Sequence, residues 1–94
     1  KTVYEQGVRL ITLTWNHING VGFPNFKLNI DISGNVIEKP SFTIPNTEFG
    51  LTPFGIELLS EMESLGIIAD VSHLSDAGFY DVVMQELLQM LLEI

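Results

Sequence analysis

The sequence has no cysteine, so it can build neither a disulfide framework nor a thiolate metal site. That absence leaves the redox compartment open. Basic side chains are also scarce: 4 Lys and Arg stand against 12 Asp and Glu, a formal net charge of -8 at pH 7. Binding phosphate needs clustered Lys and Arg, so the balance disfavours nucleic acid as a partner and equally an anionic membrane surface. Long apolar runs are missing as well. No stretch reaches the roughly 18–20 residues that span a bilayer, and the leucine-rich end, 82–94, is interrupted by Glu86 and Glu93. The first residues lack the basic region and apolar run of a secretory leader. No membrane insertion is expected from this segment. There is no internal repeat and no low-complexity stretch. What remains is a chain of 94 residues with a hydrophobic fraction of 46%, enough for one small core and too apolar for disorder.

The pattern along the chain is strand, long loop, helix, strand, helix. Residues 8–14 (VRLITLT) form the first expected strand, rich in β-branched residues and leucine. Alternation puts Val8, Leu10, Thr12 and Thr14 on one face and Arg9, Ile11 and Leu13 on the other. Both faces are largely apolar, as in a parallel strand covered on both sides. Residues 15–51 have no helical periodicity and are punctuated by Gly20, Gly22, Pro24, Pro40, Pro45 and Gly50. Within them, 26–32 and 36–37 flank the turn signal Ser33-Gly34-Asn35 and are expected to pair as a small hairpin. A connection this long is far above the usual roughly 4–6 residues and points to function.

Helix 52–65 follows. Thr52 is a good N-cap, Pro53 suits the first helical position and Gly66 the C-cap. Phe54, Leu58, Met62 and Leu65, widened by Leu59, are expected to face the core, with Glu57, Glu61 and Glu63 in solvent. Residues 67–71 are the second strand. Ser75 then caps helix 75–93, whose buried face is expected to hold Phe79, Val82, Val83, Leu87, Met90, Leu91 and Ile94, widened by Leu88 and Leu92. A strand-helix-strand crossover makes the two strands parallel and is almost always right-handed. Two strands leave open edges and cannot bury both apolar faces, so further strands are expected to belong to this sheet.

The chemistry gathers at the end of the second strand. His73 lies in the turn between that strand and the last helix, at the carboxyl edge where parallel α/β folds bind ligands. An imidazole N–H there can donate to an oxygen that gains charge. Taken alone, a histidine after a strand is more often structural than catalytic. Asp70 reads as a carboxylate hydrogen-bonded at a strand end. Asn16 and His17 fall in the loop after the first strand, on the same edge if the strands are parallel. Asn16 either contacts substrate or orders the loop. His17 is a poor metal candidate, because two isolated histidines lack ligand spacing and catalytic zinc needs about three protein ligands. Trp15 reads as a packing residue. No residue is assigned as a metal ligand or as a catalytic acid, base or nucleophile.

Three blocks carry a family resemblance. Gly7-Val8-Arg9-Leu10-Ile11-Thr12-Leu13-Thr14-Trp15-Asn16 resembles the "GVR-ltLTxN" strand of the membrane dipeptidase (renal dipeptidase) family. Gly50-Leu51-Thr52-Pro53-Phe54-Gly55 resembles its "GLTxFG" helix start. Leu65-Gly66-Ile67-Ile68-Ala69-Asp70-Val71-Ser72-His73-Leu74-Ser75 resembles its "LGxxxDxSHxS" strand. The resemblance implies a fragment of a (β/α)8 TIM barrel, about two βα units of it, since a whole barrel needs roughly 250 residues. It also implies a zinc metallopeptidase that hydrolyses dipeptides with two zinc ions. The family's ligand motifs fall outside this chain. By position, His73 would be the substrate-binding histidine that reaches the scissile carbonyl. Animal members often carry His where Trp15 stands, and residues 84–94 depart from the family pattern.

The isolated chain is therefore expected to be inactive. The alternatives are a non-catalytic remnant or interaction module that folds by oligomerising, and another metal-dependent hydrolase on the same barrel. The leucines of the last helix favour homo-oligomer formation when they are left exposed.

Overall fold

A computed structural model describes residues 3–30, 32–33, 35–41 and 43–93, with the backbone alone for 29–30 and 36–41. Its elements are β1 (Leu10–Thr12), β2 (Lys27–Ile30), β3 (Val36–Ser41), α1 (Pro53–Leu65), β4 (Ile68–Asp70) and α2 (Asp76–Leu92). β1 and β4 pair in parallel, in the register Leu10 with Ile68, Ile11 with Ala69 and Thr12 with Asp70. α1 is the crossover between them, so the α/β class holds. β2 and β3 form a separate antiparallel hairpin with two irregularities in its register. The turn residue Gly34 expected there lies outside the described residues.

Local chemistry accounts for the helix ends. The Thr52 hydroxyl accepts from the Gly55 amide at 2.9 Å, and Pro53 occupies the first turn. Gly66 ends α1 at φ 77, a left-handed conformation that suits glycine, and its amide returns to Glu63. Ser75 caps α2 in the same way, accepting from the Gly78 amide at 2.9 Å. Gly55 has a second reason to be glycine. A Cβ there would collide with the Val21 carbonyl, so α1 can press against the long loop only without a side chain at this position.

The core is Leu13, Leu59, Met62, Ile67, Leu74 and Val82, with Ile11, Leu51, Leu58, Leu65 and Val71 packed around it. Four expectations about faces need correction. α1 buries Leu59 and Met62 as expected, but Phe54, next to Gly55 where the loop at Val21 meets the helix, is exposed. The strand expected over 8–14 is regular only over 10–12. Leu10 is 56% exposed and its partner Ile68 63% exposed, so one face of the sheet is uncovered among the described residues. The burial expected of Phe79, Leu87, Met90 and Leu91 also fails, and Leu88 and Leu92 are exposed with them. Val82 is the large α2 side chain that is buried in the core, and the later turns meet α1 only across a groove lined by Leu59, Glu63, Glu86 and Met90. Ile94 lies outside the described residues. Glu63, expected in solvent, is half-buried, with Oε1 enclosed and without a hydrogen-bond partner. Burial and then the charges of Glu86 and Glu93 push its carboxyl above the usual range.

The long loop is bound to the start of α2. Phe23 O accepts from the Ser75 amide at 2.9 Å, and Pro24 bridges to Leu74. Asn25 Oδ1 accepts from the Asp76 amide at 2.9 Å and the Asn46 amide at 3.1 Å. The Leu51 amide donates to Asp81 Oδ2 at 2.9 Å, and the Phe23 and Phe49 rings meet at 5.1 Å. These contacts fold the excursion back over the end of the sheet that carries His73.

Candidate functional site

Parallel pairing sends the carboxyl ends of β1 and β4 to one rim. β1 leads into Thr14 and Trp15, and β4 into Ser72 and His73. The turn after β4 is built around Asp70. Its Oδ2 accepts from the Thr12 hydroxyl at 2.8 Å, and its Oδ1 from the Ser72 amide at 3.1 Å. The Ser72 hydroxyl lies 2.8 and 2.9 Å from the two carboxylate oxygens. The Ser72 amide first, then the hydroxyls of Thr12 and Ser72, favour the charged carboxylate and hold the Asp70 pKa below the usual aspartate value. Asp70 is thus a cross-strand and turn anchor whose lone pairs are already engaged.

That turn delivers His73 in the left-handed region, at φ 69, the one non-glycine residue with positive φ among those described. Such a conformation costs about 1–3 kcal/mol and persists where surrounding contacts over-determine it. Here those contacts are the Leu74 amide on Val71 O at 3.1 Å and the Thr14 hydroxyl on His73 O at 3.1 Å. The imidazole is exposed and lies against the Trp15 indole, with ring centroids 4.0 Å apart and planes at 46°.

Asn16 follows Trp15 on the same loop and is exposed, as is His17. The residue that orders this loop is Asn19. Its Nδ2 donates to Leu13 O at 3.0 Å, and its Oδ1 accepts from the amides of Val21 and Gly22 at 2.9 and 3.0 Å. The sequence reading missed Asn19, although an asparagine just before Gly20 is a signal for a side-chain-closed turn. Trp15, read from the sequence as a packing residue, is 61% exposed and packs on the histidine instead.

The donors on this rim do not make a metal site. Among the described residues no three His, Asp or Glu side chains converge as a metal ion requires. The zinc pair implied by the family resemblance therefore has no fit in the described part of this chain. A groove at the other end of the sheet is lined by Leu59, Glu63, Ile67, Ile68, Glu86 and Met90. It is acidic and apolar, and it lies at the amino end of β4, away from His73. No described helix is long and apolar enough to cross a membrane.

A parallel strand-helix-strand unit with a histidine-bearing turn at its carboxyl edge places the chain in the α/β class. Residues 1–86 match the model of the membrane dipeptidase family, peptidase family M19, and the chain belongs to that family. It is similar to an uncharacterized dipeptidase of Schizosaccharomyces pombe, 34% identical over 80 residues, which is 85% of this chain and 16% of the relative. The chain thus spans about a sixth of the length of that relative. No solved structure matches it significantly.

Proposed function

We propose that this chain is a segment of a dipeptide-hydrolysing enzyme whose complete form is a (β/α)8 barrel, of which β1-α1-β4-α2 make about two units. In this reading His73 is the substrate-binding residue. Its imidazole N–H donates to the scissile carbonyl oxygen and gains strength as that oxygen acquires charge. Asn16, on the neighbouring loop, is the second substrate contact. Asp70 holds the turn and takes no part in the reaction. The zinc ions implied by the resemblance would be held by side chains outside those described here, where they would supply Lewis-acid chemistry.

The observation that carries the reading is the meeting of two loops at one rim: the turn that follows β4 presents an exposed, backbone-strained histidine beside the loop that follows β1. The test is hydrolysis. A protein that carries this segment within a chain of its relative's length is expected to cleave dipeptides in the presence of zinc, and the 94-residue chain by itself is expected to be inactive. Absence of dipeptide cleavage by the longer protein, or cleavage by the isolated chain, overturns the proposal.

A second reading rests on α2, where Tyr80, Met84, Leu88, Leu91 and Leu92 are all exposed. An apolar face of that kind suits a homo-oligomerising interaction module. A discrete oligomer in sedimentation, with no hydrolysis from the longer protein, favours it.

A further inference from the structure

Two consecutive residues of the loop after β1 take hold of the two halves of His73. Thr14, which is buried, gives its hydroxyl to the His73 carbonyl at 3.1 Å. Trp15, the next residue, lays its indole against the imidazole at 4.0 Å between centroids. That separation is closer than the about 4.5–7 Å usual for aromatic pairs. Trp15 is largely exposed and His73 is exposed too. The pair is therefore not a by-product of core packing, because no shell of core side chains pushes the rings together. The chain reaches this arrangement by leaving the strand early. β1 ends at Thr12, Leu13 and Thr14 are both buried, and Asn19 Nδ2 holds Leu13 O. Trp15 is the first side chain free to face the rim.

We infer that Trp15 is the positioning residue of His73: its indole selects the imidazole rotamer, while Thr14 fixes the backbone beneath it. The inference rests on the proposal that His73 contacts substrate, but the stack can be measured without any reaction. Without the indole, the exposed imidazole samples the three staggered χ1 wells, and the fraction in the productive well falls to roughly one third. Bulk and a flat face are what the task requires, so phenylalanine serves and leucine does not.

The test uses NMR on the 94-residue protein, with the two histidines distinguished by His17→Gln. Nuclear Overhauser contacts are expected between the Trp15 indole and His73 imidazole protons, and the imidazole protons are expected upfield of their free positions. Trp15→Leu is expected to move them back and Trp15→Phe to retain most of the shift. In a longer active protein, Trp15→Leu is expected to lower kcat roughly threefold with KM little changed, and Trp15→Phe to restore it. Absence of indole–imidazole contacts in the wild type overturns the inference whatever the variants do. Equal behaviour of the leucine and phenylalanine variants overturns it as well. If the contacts are present but His73→Ala turns over normally, the substrate role fails and the ring pair stands.

Discussion

Replacing Ser75 by alanine is expected to be among the most destabilising one-atom changes in the chain. Ser75 is 0% exposed and works in two directions. Its hydroxyl accepts from the Gly78 amide at 2.9 Å, which caps α2, and donates to Phe49 O at 2.7 Å, which fastens the long loop. Loss of an N-cap costs about 1 kcal/mol. The Phe49 carbonyl, in a half-buried residue, loses a hydrogen bond whose net worth is about 0.5–1.5 kcal/mol. Together the change costs about 1.5–2.5 kcal/mol. At a urea dependence of roughly 1–2 kcal/mol per molar, the unfolding midpoint falls by about 0.8–2.5 M. Far-UV circular dichroism follows the helices and the fluorescence of Trp15 follows the rim. Thr52→Ala is the matched control. Thr52 caps α1 with the same chemistry but is only half-buried, so water replaces what is lost and the cost is about 1 kcal/mol. A midpoint shift for Ser75→Ala no larger than that for Thr52→Ala refutes the argument that burial doubles the effect.

Other consequences are equally open to measurement. His73→Gly removes the strain at φ 69 and is expected to be about 1 kcal/mol more stable than His73→Ala by thermal unfolding; equal stability means the turn is not strained. Glu63 has a raised pKa, so its favourable contribution is complete below its unfolded value and is lost as pH rises through the folded one. Glu63→Gln is therefore expected to raise the melting temperature at pH 7 and to leave it nearly unchanged at pH 3. Asp70 has a lowered pKa, so the anchor it provides is present above its unfolded value and released as pH falls through the folded one. Thr12→Val is expected to move the Asp70 carboxyl titration upward in NMR. Leu88→Lys together with Leu91→Lys is expected to reduce self-association in sedimentation if the exposed face of α2 is what drives it.

The parts of this structure that could be read from residues alone are those set by neighbours in sequence. Thr52, Ser75 and Gly66 mark helix ends through contacts spanning a few residues, and the glycines and prolines of 15–51 mark a loop wherever it folds. Parallel pairing of β1 with β4 follows from the crossover, and with it the meeting of His73 and the Trp15 loop on one edge. What could not be read depends on partners distant in sequence. Leu59 and Met62 face the core as their spacing indicates, but Phe54, on the same stripe, is exposed at the end of α1 that the loop at Val21 meets. Asn25 fastens the loop to Asp76 across a sequence gap that no local pattern encodes. Glu63 shares its helix's acidic pattern with Glu57 and Glu61, yet its enclosure depends on the approach of α2. The exposed turns of α2 show the same limit in reverse. Their leucines carry a core-like periodicity, and no described element covers them.

The proposed substrate contact of His73 is the central claim. Its most direct test is the turnover of dipeptides by a longer protein carrying this segment, compared with its His73→Ala variant at saturating substrate. Loss of one oxyanion donor predicts a fall in kcat of about 100-fold to 1,000-fold. Unchanged kcat in a folded variant contradicts it.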